Sequence, residues 1–147
     1  MTASDDLLRL ENQLCFALVT AARNVVAIYR PILEPLGLTH PQYLVMLALW
    51  ERDPRPLNDL AAELAMEPAT ASPLVKRLEA EGLIARQRSS EDERRLDITL
   101  TATGRALRER AVNVPQQVME AVGMNVGEIS ALRDGLGPFV GRRAESD

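Results

Sequence analysis

The sequence predicts a mainly α-helical chain of the α+β class, a winged helix-turn-helix carried between long N- and C-terminal helices. Three observations predict it. Leu57 to Leu64 (LNDLAAEL) has the apolar spacing of a short helix, Met66 and Glu67 read as a turn, and Pro68 to Glu81 (PATASPLVKRLEAE) is a second amphipathic helix closed by Gly82, which together make a helix-turn-helix. Directly after it, Leu83 to Arg88 (LIARQR) has strand character and Ser89 to Glu93 (SSEDE) is a polar turn. Arg94 to Leu100 then sets Leu96, Ile98 and Leu100 against Asp97 and Thr99, the period of a half-buried strand. The third observation is that the helical stretches on either side are more apolar than so small a unit can cover.

Residues 5 to 30 (DDLLRLENQLCFALVTAARNVVAIYR) read as one long helix with Ser4 as its N-cap. Leu7, Leu10, Leu14, Leu18, Ala21, Val25 and Ile28 form a core-facing stripe, and Cys15, Phe16, Val19, Ala22, Val26 and Tyr29 widen it enough to serve a second partner surface. Pro31 and Pro35 are expected to disturb this helix and Gly37 to end it. Thr39 then caps a helix through Trp50, with His40 and Pro41 in its first turn, apolar on nearly every face and so buried all round. Asp53 to Pro56 reads as a connector. After the wing, Thr101 caps a helix from Ala102 to Val122 bent at Pro115. Gly123 to Gly127 is a break, and Glu128 to Arg143 is a last helix.

With 147 residues, 46% of them hydrophobic, the chain can bury one core, so a single domain is expected over 1–147. Residues 39–101 would read DNA, and 1–38 with 102–147 would form the dimer. A homodimer holds two recognition helices one turn of DNA apart, or a multiple of it, which suits a pseudo-palindromic double-stranded site.

The net charge of −4 argues against nonspecific coating of nucleic acid. Contact must rest on a local basic surface, supplied by Lys76, Arg77, Arg86, Arg88, Arg94 and Arg95, with Glu79, Glu81, Glu91, Asp92 and Glu93 interleaved. Thr70 and Ser72 lie in the first turns of the recognition helix, where base edges are reached, and Pro73 requires that helix to begin close to Pro68. Arg94 sits in the wing turn with Asp92 to hold it rather than neutralise it, while Arg86, Arg88 and Arg95 read as phosphate contacts or solvated charge.

One cysteine, Cys15, and one histidine, His40, leave no intrachain disulfide and too few ligands for a metal centre. Neither a phosphate-cradling glycine loop nor a nucleophile triad is present, so no cofactor is expected. The acidic start, MTASDDLLRLEN, is unlike a secretory signal, and no apolar run looks long enough to cross a bilayer, which predicts a cytoplasmic protein that makes no membrane contact. On residue chemistry alone a free cysteine is more often packing than reagent.

The order of elements resembles the MarR family of dimeric bacterial regulators. NQLCFAL (12–18), YRPILEPLGLTHPQYLVMLALWE (29–51), SPLVKRLEAEGLI (72–84) and RSSEDERRLDITLT (88–101) are similar to its OhrR-type branch, which senses organic hydroperoxides. The resemblance implies that Cys15 is oxidised by an organic peroxide, that Tyr29 hydrogen-bonds its sulfur, and that Arg94 enters the minor groove. Thr70, Ser72, Lys76 and Arg77 would face the major groove and its phosphates. Val19 and His40 stand where tyrosines are usual, and with Tyr43 they are the neighbours expected to tune the sensor. The second cysteine of some members is absent, which makes this a one-cysteine type.

Cys15 and Tyr29 are fourteen residues apart, about 21 Å along a helix, so they meet only across two antiparallel copies. There the hydroxyl of the partner's Tyr29 donates to the thiolate that attacks the peroxide. A low-molecular-weight thiol can then form a mixed disulfide. Two other functions compete. One is the same reader sensing a small aromatic or phenolic ligand with Cys15 structural. The other is a thiol peroxidase, disfavoured because no resolving cysteine exists and no histidine lies near Cys15 in the sequence.

Overall fold

The structure, a computed structural model, describes residues 2–140. Its best-buried part begins where the sequence places a cap. The Thr39 hydroxyl accepts the Gln42 N–H and the Gln42 side chain accepts the Thr39 N–H, a capping box that starts α3 (His40–Glu51). From α3, Tyr43, Val45, Met46, Ala48 and Leu49 enter the core. The helix-turn-helix follows as α4 (Leu57–Glu63) and α5 (Pro68–Ala80), with Leu60, Val75 and Leu78 facing α3. Ala65 makes the turn in the left-handed region (φ 56°), while the Met66 N–H bonds back to the Ala61 carbonyl at 2.9 Å.

The wing is β2 (Ile84–Arg88) paired antiparallel with β3 (Leu96–Leu100), in the register Arg86 to Ile98. A third strand was hidden from the sequence. β1 (Arg55–Pro56) pairs with the other edge of β3, so the sheet order is β1-β3-β2 and the expected connector is partly strand. Two residues, one of them proline, have no period to detect, and only an edge place tolerates that proline.

Arg55 from β1 is 1% exposed. It donates to Asp59, Glu63 and the Ala48 carbonyl, which ties α3 to α4. Asp53 ties β3 to the next helix: it accepts the Thr99 hydroxyl and the Leu100 N–H and meets Arg105. Burial pushes the Asp53 carboxyl up, but these hydrogen bonds and the arginine leave it below the usual carboxylate range.

The N-terminal region departs from the single helix expected. α1 (Ala3–Leu7) is capped by Thr2, not Ser4, and a 3-10 turn at Leu10–Asn12 separates it from α2 (Leu14–Leu33). Asn12 donates to the Asp6 carbonyl, and Gln13 to those of Leu7 and Arg9, so side-chain amides take acceptors that a continuous helix would use. Pro31 does not stop α2. It lies in the last turn and costs one backbone bond, and the helix ends through a turn at Gly37 (φ 73°).

At the other end α6 (Ala102–Ala111) and α7 (Val114–Val122) replace one bent helix, with Pro115 in the first turn of α7 rather than at a bend. α8 (Val126–Gly135) and α9 (Gly137–Val140) follow, so the last helix starts before Glu128 and breaks at Leu136. The expected continuation to Arg143 lies outside the described residues.

α2 packs on α7 and, through its C-terminal part, on α3, and leaves the rest open. Of its 20 residues only Leu33 is buried. Leu14, Phe16, Val19, Val25 and Val26 of α2 are exposed, as are Leu7, Leu8, Val126, Leu132 and Phe139. The segment Leu14–Leu36 is also long and apolar enough to span a bilayer, which corrects the expectation that no run would be. Arg23 and Arg30 lie within it, and a cation in hydrocarbon costs about 3 kcal/mol, whereas a second protein surface can leave both at a rim.

Candidate functional site

α5 turns Ala71, Val75 and Leu78 inward, so Thr70, Pro73, Lys76 and Arg77 stand on its solvent face and Ser72 on its flank. The helix starts at Pro68 as Pro73 required. Lys76 and Arg77 make no ion pair among the described residues, which makes them available to an anionic partner.

The wing cations divide differently. Arg86 gives Nε and Nη2 to the two carboxylate oxygens of Glu79 on α5, at 3.1 and 3.0 Å. Arg95 is held by Asp97 at 3.0 Å and touches the Ser89 hydroxyl. Arg88 donates to the Glu93 carbonyl, which leaves its charge uncompensated. Asp92 accepts the backbone N–H of Arg94 at 3.0 Å rather than its guanidinium. It shapes the turn and leaves the Arg94 side chain without a partner among the described residues.

Ser89 is a residue that sequence reasoning passed over. It is 5% exposed, and its hydroxyl accepts the N–H groups of Glu91 and Asp92 at 3.2 and 3.4 Å, which folds the wing tip. The signal was a serine followed by polar residues at the start of a turn, a pattern in which the hydroxyl substitutes for a backbone acceptor. Glu79 was seen only as an interruption of the basic surface.

Where α2 meets α3 the structure brings together three of the expected sensor residues and keeps the other two apart from them. The Tyr29 ring meets His40 edge-on at 4.8 Å between centroids and Tyr43 at 5.9 Å. Burial raises the Tyr29 phenol, and burial with the nearby Tyr29 raises Tyr43, so both hydroxyls stay protonated donors at neutral pH. Burial lowers the His40 imidazole and favours its neutral form. The cluster is an uncharged set of donors at the C-terminal part of α2. Cys15 and Val19 sit one turn apart at its other end, both exposed.

Cys15 is the second residue of α2, behind Gln13, which caps the helix without a side-chain bond. The first turn therefore presents backbone N–H groups that no capping side chain accepts. Beside Tyr29, an apolar cavity of about 460 Å³ lies between α2 and the α7–α8 region, lined by Val25, Val118, Val122, Ile129, Leu132 and Arg133. Among the described residues no cluster of histidine, cysteine and acidic side chains could hold a metal ion.

Comparison with known proteins places this geometry. Residues 27–110 match the family model described as transcriptional regulator SarA/Rot. The chain is 38% identical to the organic hydroperoxide resistance transcriptional regulator of Bacillus subtilis over 89% of each chain. It is similar to AbfR of Staphylococcus epidermidis, solved overoxidised and bound to DNA: 33% identity, 93% of this chain, 96% of that one, TM-score 0.74. It is also similar to BpsR of Bordetella bronchiseptica, whose structure concerns regulation of DNA binding by 6-hydroxynicotinic acid: 28% identity, 95% and 97% covered, TM-score 0.78. With its recognition helix, its wing on a three-stranded sheet and its long flanking helices, the chain belongs to the SarA/Rot-type, MarR-family winged-helix regulators, DNA-binding proteins of transcription.

Proposed function

We propose that the chain is a homodimeric repressor that grips a pseudo-palindromic operator with two α5 helices and two wings and lets go when Cys15 is oxidised by an organic hydroperoxide. In this reading residues 1–38 and 102–147 hold the dimer and 39–101 reads DNA. Thr70 and Ser72 meet base edges, Lys76, Arg77 and Arg88 meet phosphates, and Arg94 enters the minor groove. It acts where the chromosome lies, in the cytoplasm, and it is a switch rather than an enzyme.

The observation that carries the reading is α2 itself, an apolar helix left bare with Cys15 at one end and the Tyr29–His40–Tyr43 cluster at the other. Antiparallel pairing of two such helices covers the bare side and brings each sulfur to the partner's cluster, giving two composite sites. Thiolate attack on the peroxide forms the S–O bond as the O–O bond breaks. The thiolate becomes a sulfenic acid and the peroxide leaves as an alcohol, taking one proton from solvent. A low-molecular-weight thiol then displaces water to give a mixed disulfide. Excess peroxide gives sulfinate instead, and the uncapped N–H groups of the first α2 turn suit the new negative charge. Either product adds polar bulk inside an apolar interface and alters the spacing of the two readers.

The test is mass spectrometry of Cys15 after one equivalent of an organic hydroperoxide, run beside a DNA-shift assay of the same sample. Oxidation and release should rise together in the wild type, and Cys15→Ser should bind DNA and ignore the peroxide. Release of the serine variant by peroxide would sink the assignment.

A second reading is favoured by the cavity beside Tyr29, whose apolar walls and Arg133 suit a small aromatic acid. Its sign would be release of both wild type and Cys15→Ser by such an acid, with no change in the mass of Cys15.

A further inference from the structure

Arg86 counts as a DNA contact on sequence grounds, but its surroundings assign it another task. Its Nε and Nη2 are both committed to Glu79, and the pair spans from α5 to β2, between the recognition helix and the wing. The hydrogen bonds from Arg86 hold the Glu79 carboxyl below the usual carboxylate range, and those same bonds raise the guanidinium further, so both groups are ionised at neutral pH. Glu79 is also three residues from Lys76 on the same helix, close enough for an i, i+3 ion pair. Without Arg86 the carboxylate would stand beside the DNA-facing cations, free to pair with Lys76 and to repel phosphate.

We propose that Arg86 is a positioning residue that holds Glu79 off the DNA surface, so that Lys76 and Arg77 meet phosphate with their charge intact. The proposal rests on the DNA-binding reading above and concerns one pair within it. It sorts the six basic residues by what faces them. Arg86 and Arg95 are paired at the protein's own surface with Glu79 and Asp97, while Lys76, Arg77, Arg88 and Arg94 carry uncompensated charge to the duplex.

A double-mutant cycle tests it, because a neutralising role and a direct phosphate contact give opposite couplings. The full-length protein is titrated, over a range of salt, against a duplex selected from a random-sequence library by the wild type. Arg86→Gln should weaken binding about tenfold, the scale of one exposed charge brought against phosphates. Glu79→Gln should bind at least as tightly as wild type, with a steeper salt dependence because Arg86 is set free. The double variant Glu79→Gln, Arg86→Gln should return to within about threefold of wild type with its salt slope, while Lys76→Gln should flatten that slope by about two per dimer. Thermal melting of each variant checks that the reader is folded, and Arg86→Lys, which keeps the charge, should lose less than Arg86→Gln.

A double variant as weak as Arg86→Gln would overturn the proposal and make Arg86 a phosphate contact. Weaker binding by Glu79→Gln alone would overturn it too. Failure of the wild type to select any duplex would overturn the DNA-binding reading and this proposal with it, a result distinct from either of the others.

Discussion

The reader, residues 39–101, and the helices that flank it divide the same apolar composition in opposite ways. In the reader Val45, Met46, Leu49, Leu60, Leu78, Ile84 and Ile98 are sealed from solvent, and even a guanidinium, Arg55, is buried with its partners in place. In the flanks Leu33, Leu107, Val114 and Val118 complete that core, but the large apolar residues of α1 and α9, the open side of α2, and Val126 and Leu132 of α8 face out. A core completed within one chain can be rigid with one copy present. A region that leaves apolar surface bare keeps that surface for another molecule, and changes at the shared surface can be felt without unfolding the rigid part.

The largest effect should come from breaking the bare region. Val25→Asp on α2 puts a charge on the exposed apolar side and should convert a dimer to monomer by sedimentation. DNA affinity should fall by at least about a hundredfold, since two linked readers bind far more tightly than one. The helical circular dichroism of the reader should persist. A dimer that survives this change would refute that division of the chain.

Next is the sealed region. Arg55→Ala should lower the unfolding free energy by about 2 to 4 kcal/mol in denaturant titration, because a buried cation with three partners is removed. Asp59 and Glu63, partly exposed, recover some hydration and keep the loss from being larger. Dimerisation should be unchanged, the reverse of Val25→Asp.

The seam between the regions should respond less. Gly104, the third residue of α6, lies so close to the reader that an added Cβ would sit 2.0 Å from the Leu83 carbonyl oxygen, and the Gly104 carbonyl accepts the Trp50 indole N–H at 2.9 Å. Gly104→Ala should cost about 1 to 3 kcal/mol and shift the indole fluorescence as that bond is disturbed.

The smallest effect is that of pH on His40. Burial places its folded pKa below the unfolded value of 6.5, so the folded state binds fewer protons than the unfolded chain in that window. Stability should be full above pH 6.5 and fall as the pH drops below it. His40→Gln should flatten that part of the profile.

The same contrast explains what the sequence let one read. The helix-turn-helix and the hairpin were legible because each has a sealed side, and burial on one side writes a period into the residues: Leu60, Val75 and Leu78 for helices, Ile98 and Leu100 for a strand. α2 was legible as apolar but not as divided from α1, since Leu7, Leu10 and Leu14 keep the helical spacing straight across the break made by Asn12 and Gln13 amides. β1 was too short to have a period, and the burial of Arg55 follows from partners seven and eight residues away that no spacing rule ties to it. Among the site residues the positions of Thr70, Lys76 and Arg77 could be read from the helix, and the meeting of Tyr29, His40 and Tyr43 was expected only loosely. The engagement of Arg86 by Glu79 could not be read at all, because a helix-to-strand contact leaves no mark on either element alone.

One feature of α2 reaches into genetics. A helix that carries its sulfur near one end and its tyrosine near the other would, in the antiparallel dimer proposed above, make each composite site half the property of each copy. A cell expressing a mixture of Cys15→Ser and Tyr29→Phe chains should therefore assemble mixed pairs in which one site is wholly intact and the other doubly disabled. Two alleles that each fail alone would then complement one another in the heterozygous mixture, to the extent that a single working site suffices to release the operator.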